Sequence, residues 1–92
     1  NSGNVTGTST NVGGICGYSY GSSTGHCTYT KCSNTGTISS SSSNVGGVVG
    51  YAYYYNDIDQ CYNIGQVKGT GTSSYNIGGG VGYLYYYSTL RN

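Results

Sequence analysis

Few side chains in this chain can do chemistry: one histidine, four cysteines and two aspartates, the aspartates being two of only five charged residues in 92. His26, Cys27 and Cys32 lie close enough together to suggest part of a metal site. A tetrahedral zinc site needs four ligands, however, and the adjacent His26 and Cys27 are not spaced to converge on one ion. An exposed insertion carrying a disulfide is the simpler reading. Asp57 and Asp59 alternate along a strand and so point the same way. They could hold calcium or act as an acid/base pair, but calcium usually takes more oxygen ligands, and no glycine-aspartate nonapeptide is present. A solvated strand face accounts for both. A serine nucleophile with His26 and an aspartate is formally possible, yet no serine lies in the local signature of a strained elbow. The glycines of IGGGVGY match neither a GxGxxG loop before a helix nor GxxxxGK[ST]. No catalytic residue, metal or cofactor is expected, and the chain is read as a non-enzyme.

The elements that position these residues repeat. VGGICGY at 12–18 returns as VGGVVGY at 45–51 and IGGGVGY at 77–83. Each is preceded by an NxGxV-like segment, NSGNV, NTGTI or NIGQV, starting at Asn1, Asn34 and Asn63. Cys32 and Cys61 each stand two residues before the next copy. The copies run 1–33, 34–62 and 63–92, as one repeat domain. The first holds an insertion near GSSTGHCTYT, the third one near GTGTSSY. Such short units cannot bury an apolar face alone and must stack. No copy has the 3.6-residue apolar spacing of a helix, and 18 glycines argue against one. Three short β-compatible segments per copy predict an all-β fold: a short parallel β-solenoid of three coils, about 4.8 Å apart.

Stacking turns equivalent residues into ladders. Val5/Ile38/Val67, Val12/Val45/Ile77 and Cys16/Val49/Val81 form apolar ladders whose valines and isoleucines are expected to be buried, Tyr29/Ile58/Leu90 are expected to precede the cysteine column, and Asp57, Asp59, Lys31 and Lys68 to be exposed. Asn1, Asn34 and Asn63 should stack at a corner through their amides, with the recurrent glycines allowing close packing and tight corners. Tyrosine is the strongest functional hint. Tyr18/Tyr51/Tyr83, Tyr20/Tyr53/Tyr85, Tyr54/Tyr86 and Tyr55/Tyr87 should form surface ladders of offset-stacked rings, which stabilise the stack or offer a flat face to glycans. Thr8/Thr10, Ser41/Ser43 and Thr70/Thr72 align as a hydroxyl strip of the kind ice-binding solenoids use. Asn4-Val5-Thr6 is an N-glycosylation acceptor at Asn4, and Ser39–Ser43 is an O-glycan-like run.

NxGxV, then VGGIxGY, then I-x-x-C-x-N resembles the GLUG-motif repeat of bacterial surface and adhesin-like proteins, which also occurs beside immunoglobulin-A-cleaving metalloprotease regions. The resemblance covers the whole chain. It departs from the pattern at Gly80, where Ile15 and Val48 stand in the other copies, and at the extra Cys27. The protease chemistry of those neighbouring regions does not carry over, because the chain has no HExxH, one histidine and no glutamate.

A net charge of +1 without a basic cluster argues against nucleic acid and anionic membranes as partners, and no apolar run is long enough for a membrane span. The absence of an initiator methionine and of a signal-like stretch suggests a processed chain or a piece of a longer one. Four cysteines with almost no Lys or Glu favour an extracellular or cell-surface setting. Cys32 and Cys61 occupy one coil position, within disulfide reach, and are expected as an axial bridge or a reduced stacked pair, with the bridge preferred. Cys27 could reach Cys16 or Cys32. Start and finish of the chain are in phase. The expected function is thus a structural module of an adhesin, stalk or filament, stacked end to end on copies of itself or on further repeats. The alternative is a carbohydrate-binding module using the tyrosines; an ice-binding solenoid and a cross-β fibre rank behind both.

Overall fold

The computed structural model describes residues 1–72 and 74–91. Among these residues fourteen short strands wind into three stacked coils. The first coil holds β1 (Val5–Gly7), β2 (Val12–Gly13), β3 (Cys16–Tyr20) and β4 (Cys27–Thr30). The next turn holds β5 (Ser33–Asn34), β6 (Ile38–Ser40), β7 (Val45–Gly46), β8 (Val49–Tyr53) and β9 (Asn56–Asp59). The last holds β10 (Tyr62–Asn63), β11 (Val67–Gly69), β12 (Ile77–Gly78), β13 (Val81–Tyr85) and β14 (Thr89–Arg91). Every ladder is parallel and runs between coils: β1-β6-β11, β2-β7-β12, β3-β8-β13, β4-β9-β14 and β5-β10. This is the β-solenoid expected from the repeats, with the register read from the sequence: Val5↔Ile38↔Val67, Val12↔Val45↔Ile77, Cys16↔Val49↔Val81 and Tyr29↔Ile58↔Leu90.

The VGGxxGY segment is finer-grained than one strand. It bends after its first glycine, so β2 and β3, β7 and β8, and β12 and β13 lie in different sheets. The bend also lets the neighbours Val48 and Val49 both enter the core, which strict strand alternation would forbid. No described glycine has a positive φ. The corners are turned instead by Asn11, Asn44 and Asn76, by Lys31 and Gln60, and by the pairs Tyr54-Tyr55 and Tyr86-Tyr87, all at positive φ. Asparagine tolerates that region because its short amide bonds locally. Glycine serves close approach: a Cβ on Gly14 would collide with Gly47 O, and one on Gly47 with Gly79 O.

The core belongs to the middle coil. Ile38, Val45, Val49 and Ala52 are 0 % exposed, with Val48, Ile58 and Cys61 nearly as buried. Three expectations need correction. Val5, Val12, Val67 and Val81 are half-buried and Ile77 is 39 % exposed, because each outer coil is covered on one side only. Asp57 and Asp59 are half-buried rather than exposed, since side chains of flanking coils reach them. Ser43 is buried and receives a hydrogen bond from Tyr75 N (3.2 Å), so the hydroxyl strip is interrupted at its centre. Lys31 and Lys68 are exposed.

Candidate functional site

Alternation along β3 and β8 turns tyrosine outward and a small residue inward, and β13 repeats the outward tyrosines. In β8, Ala52 is buried while Tyr51 and Tyr53 face out; in β3, Ser19 is buried between Tyr18 and Tyr20. The coil spacing then brings rings together: Tyr18–Tyr51 at 5.3 Å, Tyr51–Tyr83 at 4.8 Å, Tyr20–Tyr53 at 5.4 Å and Tyr53–Tyr85 at 5.6 Å between centroids. At the following corner Tyr54–Tyr86 stand 5.6 Å apart, and Tyr55–Tyr87 4.9 Å apart at an interplanar angle of 16°. Only Tyr53–Tyr85 and Tyr55–Tyr87 among these axial pairs are stacked; the others are tilted or edge-on. Mixed geometry follows from the ring quadrupole, which favours offset and edge contacts equally well.

Neighbours within a coil also touch. Tyr51–Tyr53 (5.6 Å), Tyr53–Tyr54 (5.8 Å), Tyr54–Tyr55 (5.0 Å), Tyr83–Tyr85 (5.5 Å), Tyr85–Tyr86 (4.5 Å) and Tyr86–Tyr87 (6.2 Å) join the ladders into one aromatic layer across all three coils. Separate ladders were the expectation; YAYYY and YLYYY were the signal that they fuse. Burial, then mutual repulsion of neighbouring phenolates, raises the phenol pKa of Tyr51 and Tyr53, and Tyr86 raises that of Tyr85. The corner is strained, with φ of 69° and 52° at Tyr54 and Tyr55 and 43° and 51° at Tyr86 and Tyr87. Each left-handed aromatic residue costs about 1–2 kcal/mol. Backbone bonds across coils hold them there, from Tyr55 N to Tyr86 O (3.0 Å) and from Gly21 N to Tyr54 O (2.8 Å).

The first coil turns this corner differently. Gly21 stands where the other coils have Tyr54 and Tyr86, because a Cβ there would strike Tyr55 O. The insertion after it ends with His26 on the Tyr55 ring, 5.1 Å between centroids. His26 thus caps the Tyr55/Tyr87 column. Its Nδ1 donates to Asp57 Oδ2 (2.8 Å), and Thr89 Oγ1 donates to Asp57 Oδ1 (3.1 Å). These bonds, His26 first, hold the Asp57 carboxyl below the usual carboxylate range. Asp59 points the same way and lies 3.9 Å from Arg91. Among the described residues no three His, Cys, Asp or Glu side chains gather as metal ligands.

All four cysteines are free thiols, so the preferred axial bridge is not formed. Cys32 and Cys61 do share a column, directly before the Ser33↔Tyr62 pairing. Cys61 Sγ turns to Tyr29 O (3.2 Å) and Asp59 O (3.4 Å), while burial and then Cys61 push the Cys32 thiol up. Cys27 belongs to β4, opposite Asn56, and not to the insertion; its Sγ faces Tyr20 O (3.5 Å), and Cys16 Sγ faces Tyr18 O (3.3 Å). Tyr29, packed inside beside Cys16, is pushed up to about 12, chiefly by burial. Asn4 is exposed, with its Oδ1 accepting from Thr37 N (2.9 Å).

Two asparagine ladders run along the axis. The expected one carries Asn1 Nδ2 to Asn34 Oδ1 (2.8 Å) and Asn34 Nδ2 to Asn63 Oδ1 (2.7 Å). A second was missed: Asn76 Nδ2 donates to Asn44 Oδ1 (2.8 Å), and Asn44 Nδ2 to Asn11 Oδ1 (2.9 Å). Its signal was the asparagine before VGG or IGG in every copy. The two ladders donate in opposite directions. On the outer face of the third coil, where Gly80 replaces Ile15 and Val48, lies an open hollow of about 460 Å³ lined by Cys61, Tyr62, Asn63, Gly79, Gly80, Leu90 and Arg91.

Axial ladders of Val, Tyr, Cys and Asn at fixed places in each turn are the physical content of the repeat. Residues 41–68 match the family model described as the GLUG motif. The GLUG segment runs from Ser41 to Lys68 and includes Val45, Val48, Val49, Ala52, Ile58 and Cys61, most of the buried core. Comparison with curated proteins and with solved structures gives no match. No described helix is long and apolar enough to cross a membrane.

Proposed function

We propose that this GLUG-motif repeat module is a structural element of a bacterial surface adhesin, stalk or filament, extracellular, non-catalytic and propagated by axial stacking. The observation that carries this reading is the incompleteness of the outer coils. Leu90 is 46 % exposed on the ladder where Ile58 is 1 % exposed, and the hollow beside Gly80 has no lid. The outermost strands of each ladder present unpaired backbone edges, which natural sheets normally cover. The side chains are in phase too. Asn34 Nδ2 donates both to Gly36 O and to the next asparagine, whereas Asn63 Nδ2 has only Gly65 O among the described residues. Head-to-tail contacts that do not close give filaments.

Two glycines test this directly. A Cβ on Gly79 meets nothing within 4 Å, although its ladder mates Gly14 and Gly47 each abut the following coil. A Cβ on Gly3 would meet only Asn1 Oδ1, at 3.7 Å, while Gly36 and Gly65 abut the preceding coil. Gly79→Ala and Gly3→Ala should therefore leave the unfolding midpoint unchanged and abolish assembly seen by light scattering and negative-stain imaging. A wild-type chain that stays a monodisperse monomer, with both outer coils protected from hydrogen exchange, would remove the need for axial neighbours.

A second reading has its own observation: Tyr18, Tyr20, Tyr85, Tyr86 and Tyr87 expose much of their rings on one side of the coils. Sugar rings stack on such faces. A glycan array hit lost in Tyr53→Ala, Tyr54→Ala, Tyr85→Ala and Tyr86→Ala, with assembly intact, would favour carbohydrate binding over a purely structural role.

A further inference from the structure

Three features of the molecule stand apart from the backbone ladders and the apolar core: the His26–Asp57 pair, the column of thiols, and the continuity of the tyrosine layer. The pair is spent in pinning the insertion of the first coil to the second. The thiols face carbonyl oxygens inside the coil. The tyrosine layer is different, because stacking explains a ladder but not ten phenols in mutual contact on the surface. Ring centroids 4.5–6.3 Å apart connect Tyr18, Tyr20, Tyr51, Tyr53, Tyr54, Tyr55, Tyr83, Tyr85, Tyr86 and Tyr87 without a break.

We propose that this layer is an oxidative modification site, at which dityrosine bonds join adjacent coils, with Tyr55–Tyr87 and Tyr54–Tyr86 as the principal partners. The two pairs sit on neighbouring coils, 4.9 Å and 5.6 Å apart. Tyr87 is 68 % exposed and Tyr86 is also exposed, so an oxidant in solution reaches both rings. Each phenol gives up one electron and its hydroxyl proton to become a phenoxyl radical. Two radicals couple between ring carbons ortho to oxygen, forming one C–C bond. The hydrogen on each coupled carbon then moves to the oxygen, restoring both aromatic rings. The pair as a whole has lost two electrons and two protons. A peroxidase with hydrogen peroxide accepts them, reducing one peroxide to two waters. Contact between rings matters because phenoxyl radicals must meet, and here each has a neighbour wherever the first electron is taken. The result would be a covalent staple between the second and third coils, added to the chain connection, hydrogen bonds and packing that already join them.

The sequence makes the test clean. Trypsin cuts after Lys31 and Lys68, so each coil's tyrosines fall in a separate peptide, 1–31, 32–68 or 69–91. The folded chain is treated with peroxidase and enough peroxide to exceed its four thiols, denatured, digested and mapped by mass spectrometry. Expected is a joined 32–68/69–91 species two hydrogens lighter than the sum, recovered from the band of single-chain mass, with fragments placing the link at the corner. Tyr62 and Tyr75 are internal controls: they are 56 % and 65 % exposed yet share none of these ring contacts. The Tyr86→Phe/Tyr87→Phe variant keeps both rings and should lose the corner link. Links at Tyr62 or Tyr75 as frequent as at the corner, links found only between chains, or a corner link that survives in the double variant would each overturn the proposal.

Discussion

The middle and third coils carry matching residues at matching positions and meet very different surroundings. Val49 and Val81 are paired on one ladder, as are Ala52 and Leu84, and Ile58 and Leu90. The middle-coil member of each pair is buried, whereas Val81 is half-buried and Leu84 and Leu90 are exposed. Leu buries more apolar surface than Ala when both are enclosed, so side-chain size predicts the opposite order. What the difference teaches is that burial in this fold is conferred by the coils above and below. A single turn has almost no core of its own, and only a turn with two neighbours acquires one.

The sharpest way to break that comparison is to place one charge on each coil. Val49→Asp puts a carboxylate between two coils with no partner and no water, and should cost about 5 kcal/mol, comparable with the whole stability of a small domain. Val81→Asp leaves the carboxylate within reach of solvent and should cost about 1–2 kcal/mol. Urea unfolding reads both; equal losses would mean that the third coil is as enclosed as the second.

A smaller effect is expected in the asparagine column. Asn34 is fully buried and bonded to Asn1, Gly36 O and Asn63. Asn34→Ala strands polar atoms on both sides and should lower stability by about 2–3 kcal/mol, against about 1 kcal/mol for Asn63→Ala, where water can substitute. If the two variants unfold at the same midpoint, the middle position has no special status.

The smallest effect concerns pH. Asp57 is held below its unfolded value by His26 and Thr89, so its contribution is complete above the ordinary carboxylate pKa, about 3.9, and disappears as pH falls through the depressed native value. Asp57→Asn should remove that part of acid destabilisation while leaving the midpoint near neutral pH only slightly lower. The measurement is the thermal midpoint followed from about pH 5 to about pH 2. A wild-type profile matching the variant throughout would show that the bridge between first and second coils adds nothing.

The coil register was legible because four kinds of side chain recur at fixed intervals, and a parallel stack has no other way to pair them. Val5, Ile38 and Val67, for instance, could only be one ladder. What was not legible depended on the third dimension of each turn. Ile77 reads as core by type and position, but its exposure follows from having one axial neighbour. Asp57 reads as surface, but Thr89 and His26 come to it from other coils. The Tyr54-Tyr55 corner also escaped, since propensity gives no reason to put two aromatic residues in left-handed backbone. Cross-coil hydrogen bonds decide it.

The opposed direction of the two asparagine ladders has an electrostatic consequence. An α-helix lines up its peptide dipoles and accumulates about half a charge at each end, whereas the strands of a sheet carry little net dipole. A single column of amides pointing one way would reintroduce that polarisation, in proportion to the number of turns. Here the column through Asn34 points along the axis and the column through Asn44 points against it. Their moments oppose each other turn by turn, so added turns do not build up the polarisation that a one-way column would.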